Sequence, residues 1–333
     1  MIAFLSSVET ASPYYSSTRQ FLNPLYIDIF SVEHKGKHFD NLIKTSDFQK
    51  DLTCVRESKI VNYTAVGKLK MQALEALYTD FEGDKDFDEF CIENGKSLEN
   101  VALYQVLAEN FALKNKNIGF LSWDKGFHDP NSETVANFAK EHSDRIMFFK
   151  YLFWIADITD LLKKASDEVN IAGLKIGIYQ DLAVGVASES SETWSNQDLF
   201  SVDLSIGSPP DMFNANGQSW GVAPMRPKEM KKEGYKTYRK ILQANMKRAG
   251  AVRIDHAMGL ARLFCIPKNE PGAYIMYPFS DIVGIVALES HRNKCLVIGE
   301  DLGVVPDFFR EALHEAGILS FKVCRFEKNQ DGS

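Results

Sequence analysis

The sequence predicts an α/β protein built on a parallel sheet, and three observations carry the prediction. Beyond Gly173, short β-branched runs alternate with amphipathic helical runs in the order β, α, β, α, β, α, β. The helical runs are punctuated by Gly250, Pro306 and Gly317, residues that start or stop helices. Acidic side chains recur where three successive strands end. Strictly alternating strands and helices require crossover connections, so the sheet is parallel, either doubly wound or closed into a barrel, with helices over its faces.

Taken in order, residues 1–30 are rich in Tyr, Ser and Pro and lead into the apolar run Pro24 to Phe30, a loop entering a short strand. From Ser31 to about residue 170 the character changes. KLKMQALEALYTDF and LENVALYQVLAENFALKN place apolar residues at i, i+3, i+4 and i+7, and DRIMFFKYLFWIADITDLLKKASDEV reads as one longer, more apolar helix. The acidic loop EGDKDFDEF is a solvated stretch and contains no calcium-loop pattern. Residues 171–333 form the α/β part. GLKIGIY is a strand, an irregular stretch with Gly, Pro, Asn and Ser follows, and YKTYRKILQANMKRAG is a helix stopped by Gly250. AVRID, CLVIGE and ILSFKVCRF are strands, separated by the helices SDIVGIVALESHRN and PDFFREALHEAG.

Composition narrows the function. With 333 residues, 45% hydrophobic and 12% aromatic, the chain buries a large core and is not of a disordered type. A net charge of -7 argues against nucleic acid, which needs a cationic surface. No apolar run reaches the roughly 18 residues of a membrane helix, and MIAFLSSVETASPYY lacks a basic leader pattern, so a cytoplasmic protein without a membrane partner is expected. The cysteines Cys54, Cys91, Cys265, Cys295 and Cys324 are odd in number and never in C-x-x-C pairs, which reads as buried free thiols.

The chemistry gathers at three acids: Asp181 after KIGIY, Asp255 at the end of AVRID and Glu300 at the end of CLVIGE. In a β/α barrel the C-terminal strand ends form the active-site face. Asp255 and Glu300 are 300 − 255 = 45 positions apart, one β/α unit, so they belong on adjacent strands. Two carboxyls about 5 Å apart suit a retaining glycosidase, one as nucleophile and one as acid/base. Arg253 shares a strand face with Asp255 and should hold it ionised and lower its pKa, or be a structural ion pair. His256 either bonds a sugar hydroxyl or is structural. In SPPDMFNANGQSWGVAP, Trp220 could stack on a pyranose while Asp211, Asn214 and Gln218 bond hydroxyls; the alternative is a packed surface loop. Phosphate-loop, dinucleotide, serine-hydrolase and zinc-protease motifs are lacking, and His34 and His38 read as surface residues, so no metal or cofactor is expected.

The stretches SPYYSSTRQFLNPLYIDI, IGIYQDLAVGV, ETWSNQDLF, SIGSPPDMFNANGQSWGVAPMRP, ILQANMKRAGAVRIDHAMGL, ALESHRNKCLVIGEDLGVVP and GILSFKVCRFE, spanning Ser12 to Glu327 in order, resemble the amylomaltase or 4-α-glucanotransferase family, called disproportionating enzyme in plants. The resemblance implies a (β/α)8 TIM-type barrel related to α-amylases. It carries a large helical insertion at 31–170, behind an N-terminal loop and strand at 1–30 that lines the active site. It also implies transfer of α-1,4-glucan segments between maltodextrins with retention of configuration, and no cofactor. By motif, Asp255 would be the nucleophile and Glu300 the general acid/base, whose pKa should lie above that of Asp255. Arg253 would orient Asp255, and Asp181, His256, Trp220 and Tyr14 would contact glucose units. Tyr15 and Ala223 depart from residues usual in the family.

Members of that family have two further strands ahead of the SPY motif and a third catalytic Asp on the seventh strand. On that comparison the chain holds about strands three to six of a partial barrel and is expected to be inactive or nearly so by itself, with a complementary C-terminal fragment as one possible partner. The alternative functions are an α-glucan hydrolase using the same carboxylates, or a remnant that at most binds glucan.

Overall fold

The computed structural model describes residues 12–33, 35–114, 119–159, 161–211 and 214–323. His34, Cys324 and the end of the expected strand ILSFKVCRF lie outside the described residues. The chain divides into two compact units, Met1–Leu161 with Glu189–Ser195, and Leu162–Ser188 with Asn196–Ser333.

In chain order the helices of the first part are α1 (Lys37–Ile43), α2 (Ser46–Glu57), α3 (Tyr63–Thr79), α4 (Lys85–Leu113), α5 (Glu133–Glu141), α6 (Ser143–Ile158) and α7 (Leu161–Ile171). Their starts follow from capping chemistry: Thr45, Asn62, Asp84 and Ser132 each accept a backbone N–H of the first turn. Helix α4 bends at Gly95, whose φ of +44° only glycine adopts cheaply. Its second half packs against α6, which is apolar on nearly every side and therefore buried on nearly every side. The longer helix expected from Asp144 to Val169 is two helices. The chain leaves α6 at Thr159, whose N–H and Oγ1 both donate to Ile155 O. The run from Pro24 is likewise not a strand but a 3₁₀ turn over Pro24–Tyr26: Asn23 accepts from Leu25 N, and Pro24 presets the turn. Segment 189–195, containing α8 (Ser191–Ser195), joins this unit through a buried ion pair, Arg19 to Glu192 at 2.8 Å, flanked by Ser17 and Ser191.

The second unit contains β1 (Tyr179–Leu182), β2 (Val186–Ala187), β3 (Leu204–Ser208), β4 (Gln218–Ser219), β5 (Val222–Ala223), α9 (Pro227–Lys232), α10 (Lys236–Met246), β6 (Ala251–Ile254), β7 (Arg262–Pro267), β8 (Ala273–Met276), α11 (Phe279–Asn293), β9 (Leu296–Gly299), α12 (Phe309–Glu315) and β10 (Leu319–Ser320). The order β1-β6-β9-β10 makes the parallel sheet that the alternation predicts. Its register pairs Asp181 with Arg253 and Ile254 with Gly299. Helices α10 and α11 pack together around the buried carboxylate of Glu289, which receives Arg239, Gln243 and Arg292.

Two expectations shift here. The first strand is Tyr179–Leu182 and shares only Tyr179 with the expected run GLKIGIY, because Gly177 turns the chain at φ +77° and Gly250 abuts its lead-in. Helix α10 ends at Met246, so Gly250 is no left-handed stop; a Cβ there would sit 1.3 Å from Ile176 O, and glycine is required for close approach. Gly317 does stop α12, at φ +72°. A second sheet is antiparallel in the order β4-β3-β7-β8; β3 and β4 occupy the stretch read as irregular, and β7 and β8 lie between AVRID and SDIVGIVALESHRN, where no element was expected. Among the described cysteines Cys265 and Cys295 are buried, but Cys54 is exposed, and Cys91 is half-buried where it packs against the cluster of Phe21, Leu98, Val101 and Phe153. Among the described residues no helix is long and apolar enough to cross a membrane.

Candidate active site

Three neighbouring strands of the parallel sheet deliver three acids to one end. Asp181 is the third residue of β1, Asp255 directly follows β6, and Glu300 directly follows β9. Asp181 thus lies inside its strand, one residue before its end, whereas the sequence reading puts it just past a strand ending at Tyr179. The ladder continues past the strands: Asp255 N–H donates to Leu182 O, Glu300 N–H to Ile254 O and Ala257 N–H to Glu300 O. These bonds fix the backbone beneath each carboxylate.

Arg253 joins two of the acids. Its Nη1 donates to Asp181 Oδ1 and Oδ2 at 2.7 and 2.8 Å, and its Nη2 lies 2.9 Å from Asp255 Oδ1. Side chains two apart on a strand share a face, which places Arg253 beside Asp255 as expected. The electrostatic outcome differs from the expectation. Burial pushes the Asp255 carboxyl above the usual aspartate range, Arg253 opposes the rise, and the charges of Asp181 and Glu300 add to it. Desolvation outweighs the single favourable cation.

Glu300 is 9% exposed and its two carboxylate oxygens are each bonded: Oε2 accepts His256 N–H at 3.0 Å and Oε1 accepts Leu302 N–H at 3.1 Å. His256 reaches it by adopting a left-handed backbone, φ +47°, immediately after the nucleophile candidate. The His256 ring meets Trp220 edge to face with centroids 5.1 Å apart. Burial lowers the His256 pKa and the Asp255 charge works against that, so the ring is neutral near pH 7.

The stretch read as a loop is a β-hairpin, β3 to β4, with register Gly207 to Ser219 and Ser208 to Gln218. Asp211 and Asn214 close its tip on each other: Asn214 N–H donates to Asp211 Oδ1 at 2.7 Å, and Asp211 N–H to Asn214 O. Gln218 is exposed and its Oε1 accepts from Trp220 Nε1 at 3.0 Å. The structure therefore brings Asp181, Arg253, Asp255, His256, Glu300, Trp220 and Gln218 into one connected set of contacts, while Asp211 and Asn214 are joined to each other at the hairpin tip. Tyr14 belongs to the other unit, where it is exposed.

Sequence reading missed Phe321 and Asp301. Phe321 follows β10 and packs its ring against Arg253. Asp301 is buried at the end of β9 and receives Arg310 and Ser320, each at 2.7 Å. The signal for Phe321 was present, since it too stands at a strand end, but it carries no charge. Among the described residues no three His, Cys, Asp or Glu side chains cluster as metal ligands. Two carboxylates on adjacent strand ends, one paired with a cation and one held by backbone donors, can act as nucleophile and proton carrier at a glycosidic bond.

The profile of the 4-alpha-glucanotransferase family, glycoside hydrolase family 77, matches residues 2–333. A 4-alpha-glucanotransferase of Haemophilus influenzae is 38% identical over 335 residues, covering 95% of this chain and 48% of that protein. One of Mycobacterium bovis is 32% identical over 330 residues, covering 96% and 44% respectively. The chain thus spans about half the length of these relatives. Among solved structures, the amylomaltase of Corynebacterium glutamicum superimposes with a TM-score of 0.80 at 28% identity, covering 99% of this chain and 45% of that one. The amylomaltase of Streptococcus agalactiae, solved in complex with acarbose, gives 0.78 at 20% identity, with 98% and 64% covered. The fold is accordingly the (β/α)8 barrel of amylomaltases; four of its parallel strands lie among the described residues, where no sheet closes on itself.

Proposed function

We propose, because this chain belongs to the 4-alpha-glucanotransferase family, that the protein carrying it transfers α-1,4-glucan segments between maltodextrins by a retaining double displacement. One observation carries the reading: Asp255 and Glu300 leave the ends of the adjacent parallel strands β6 and β9, with Arg253 paired to Asp255.

In the first step ionised Asp255 attacks the anomeric carbon of the donor, and the bond to the leaving oxygen breaks as Glu300 delivers a proton to it. In the second, Glu300 takes the proton of an acceptor sugar hydroxyl, whose oxygen displaces Asp255. Arg253 orients Asp255 and offsets part of its desolvation. Trp220, held by Gln218 and His256, offers an aromatic face to a pyranose, and Asp181 and the neutral His256 ring offer hydroxyl partners. Acarbose, an oligosaccharide analogue, is bound by the Streptococcus agalactiae neighbour, which supports a maltodextrin substrate. Free thiols at Cys54, Cys91, Cys265 and Cys295 suit a reducing, cytoplasmic setting.

The test is product analysis with maltotriose. The proposal predicts glucose together with maltodextrins longer than the substrate. Shortened products alone would make the protein a hydrolase.

A further inference from the structure

Three of the groups around the Arg253 guanidinium bear on how it is turned. Asp181 takes Nη1 at both oxygens, Asp255 Oδ1 lies 2.9 Å from Nη2, and Cζ stands 5.4 Å from the centre of the Phe321 ring. Little of its side chain reaches solvent. Phe321 is itself placed by the sheet, since its N–H donates to Gly299 O at 2.9 Å, one residue before Glu300.

We propose that Phe321 is a positioning residue for the reaction: its ring face holds the Arg253 guanidinium turned toward Asp255, so that the nucleophile is presented in one orientation. The inference rests on the reading of Asp255 as nucleophile. The competition around Arg253 supplies the reason. Both Asp181 oxygens already share Nη1, and a modest rotation of the guanidinium plane would give Asp181 both terminal nitrogens in a two-nitrogen fork and leave Asp255 with none. Two carboxylates alone do not choose between these arrangements. The negative face of an aromatic ring attracts the planar cation and restrains that rotation, whereas an aliphatic side chain of similar size excludes water without doing so. A leucine at position 321 therefore separates the ring's electrostatic role from simple packing.

The experiment is a pH profile of kcat and KM on maltotriose for the full protein carrying Phe321→Leu, Phe321→Tyr or Asp255→Asn. Phe321→Leu should lower kcat roughly tenfold with KM changed less than about twofold, and Phe321→Tyr should stay within about twofold of the parent. The acid limb of the Leu variant should move to higher pH, because the attraction that favours ionised Asp255 weakens. The other charged and titratable groups facing Asp255 are left in place: the carboxylates Asp181 from β1 and Glu300 from the end of β9, and the neighbouring His256 ring, with the Tyr179 hydroxyl of β1 near Arg253. An unchanged rate and limb in Phe321→Leu, with Asp255→Asn inactive, would overturn this proposal alone. Equal losses in the Leu and Tyr variants would also overturn it, since packing and not the ring face would then matter. Retained activity in Asp255→Asn would remove the nucleophile assignment, and this proposal with it.

Discussion

The Asp255 carboxyl sits in a contest between burial and charge. Asp255→Asn keeps the shape and the ladder bond of Asp255 N–H to Leu182 O but removes the proposed nucleophile, so activity should fall on the order of a thousandfold or more with the far-ultraviolet circular dichroism unchanged. Near-normal turnover would refute the role. The pH dependence has a definite sign. Attack needs the ionised form, and burial raises the pKa, so activity is lost as pH falls through a value above the ordinary aspartate range. Arg253 opposes that rise, and Arg253→Leu should therefore shift the acid limb further upward; a downward shift would contradict the assigned balance. Alternation along AVRID put Arg253 beside Asp255 from sequence alone. The direction of the Asp255 shift was not legible there, because burial is a property of the packed neighbourhood and Arg253 is only two residues away. The bonds of Glu300 to His256 and Leu302 were equally hidden, depending on a left-handed backbone at His256 that histidine tolerates better than most residues but does not require.

At the scale of elements, β6 and β9 were legible because their β-branched runs are bounded by Gly and by charged strand ends, whereas β1 was read too early and shares only Tyr179 with GLKIGIY. Register and close approach were not legible. Gly250 illustrates the difference: it reads as a helix stop, yet its function is to let the start of β6 pass the Ile176 carbonyl on the way into β1. Gly250→Ala would force backbone apart at a 1.3 Å contact. It should cost about 3 kcal/mol or more, above the usual range for overpacking because the opposing atom is main chain. Urea titration followed by circular dichroism measures this, and a midpoint equal to the parent's would contradict the packing described. The antiparallel sheet β4-β3-β7-β8 escaped sequence reading for another reason. Its outer strands are short or exposed, and the Gly, Pro and Asn between them mark hairpin turns as readily as loops. The run Pro24–Phe30 failed in the opposite sense, apolar enough for a strand but committed to a 3₁₀ turn by Asn23 and Pro24.

For the whole molecule, the fold class followed from alternation and the family from ordered motifs, and both agree with a barrel shared with amylomaltases. The helical stretch was legible as helices because its periodicity is strong, whereas the break at Thr159 depends on one side chain returning to Ile155 O. What joins sequence, sheet and chemistry is the pair of carboxylates on adjacent strand ends, and it can be tested by trapping. Glu300→Gln should abolish turnover of maltodextrins, whose leaving oxygen needs a proton, but spare the first step with α-glucosyl fluoride, whose leaving group needs little. In the full protein with Glu300→Gln, treatment with α-glucosyl fluoride followed by peptide mass spectrometry should find one glucosyl unit on the peptide containing Asp255. A peptide that stays unmodified, or a glucosyl unit attached elsewhere, would contradict the account.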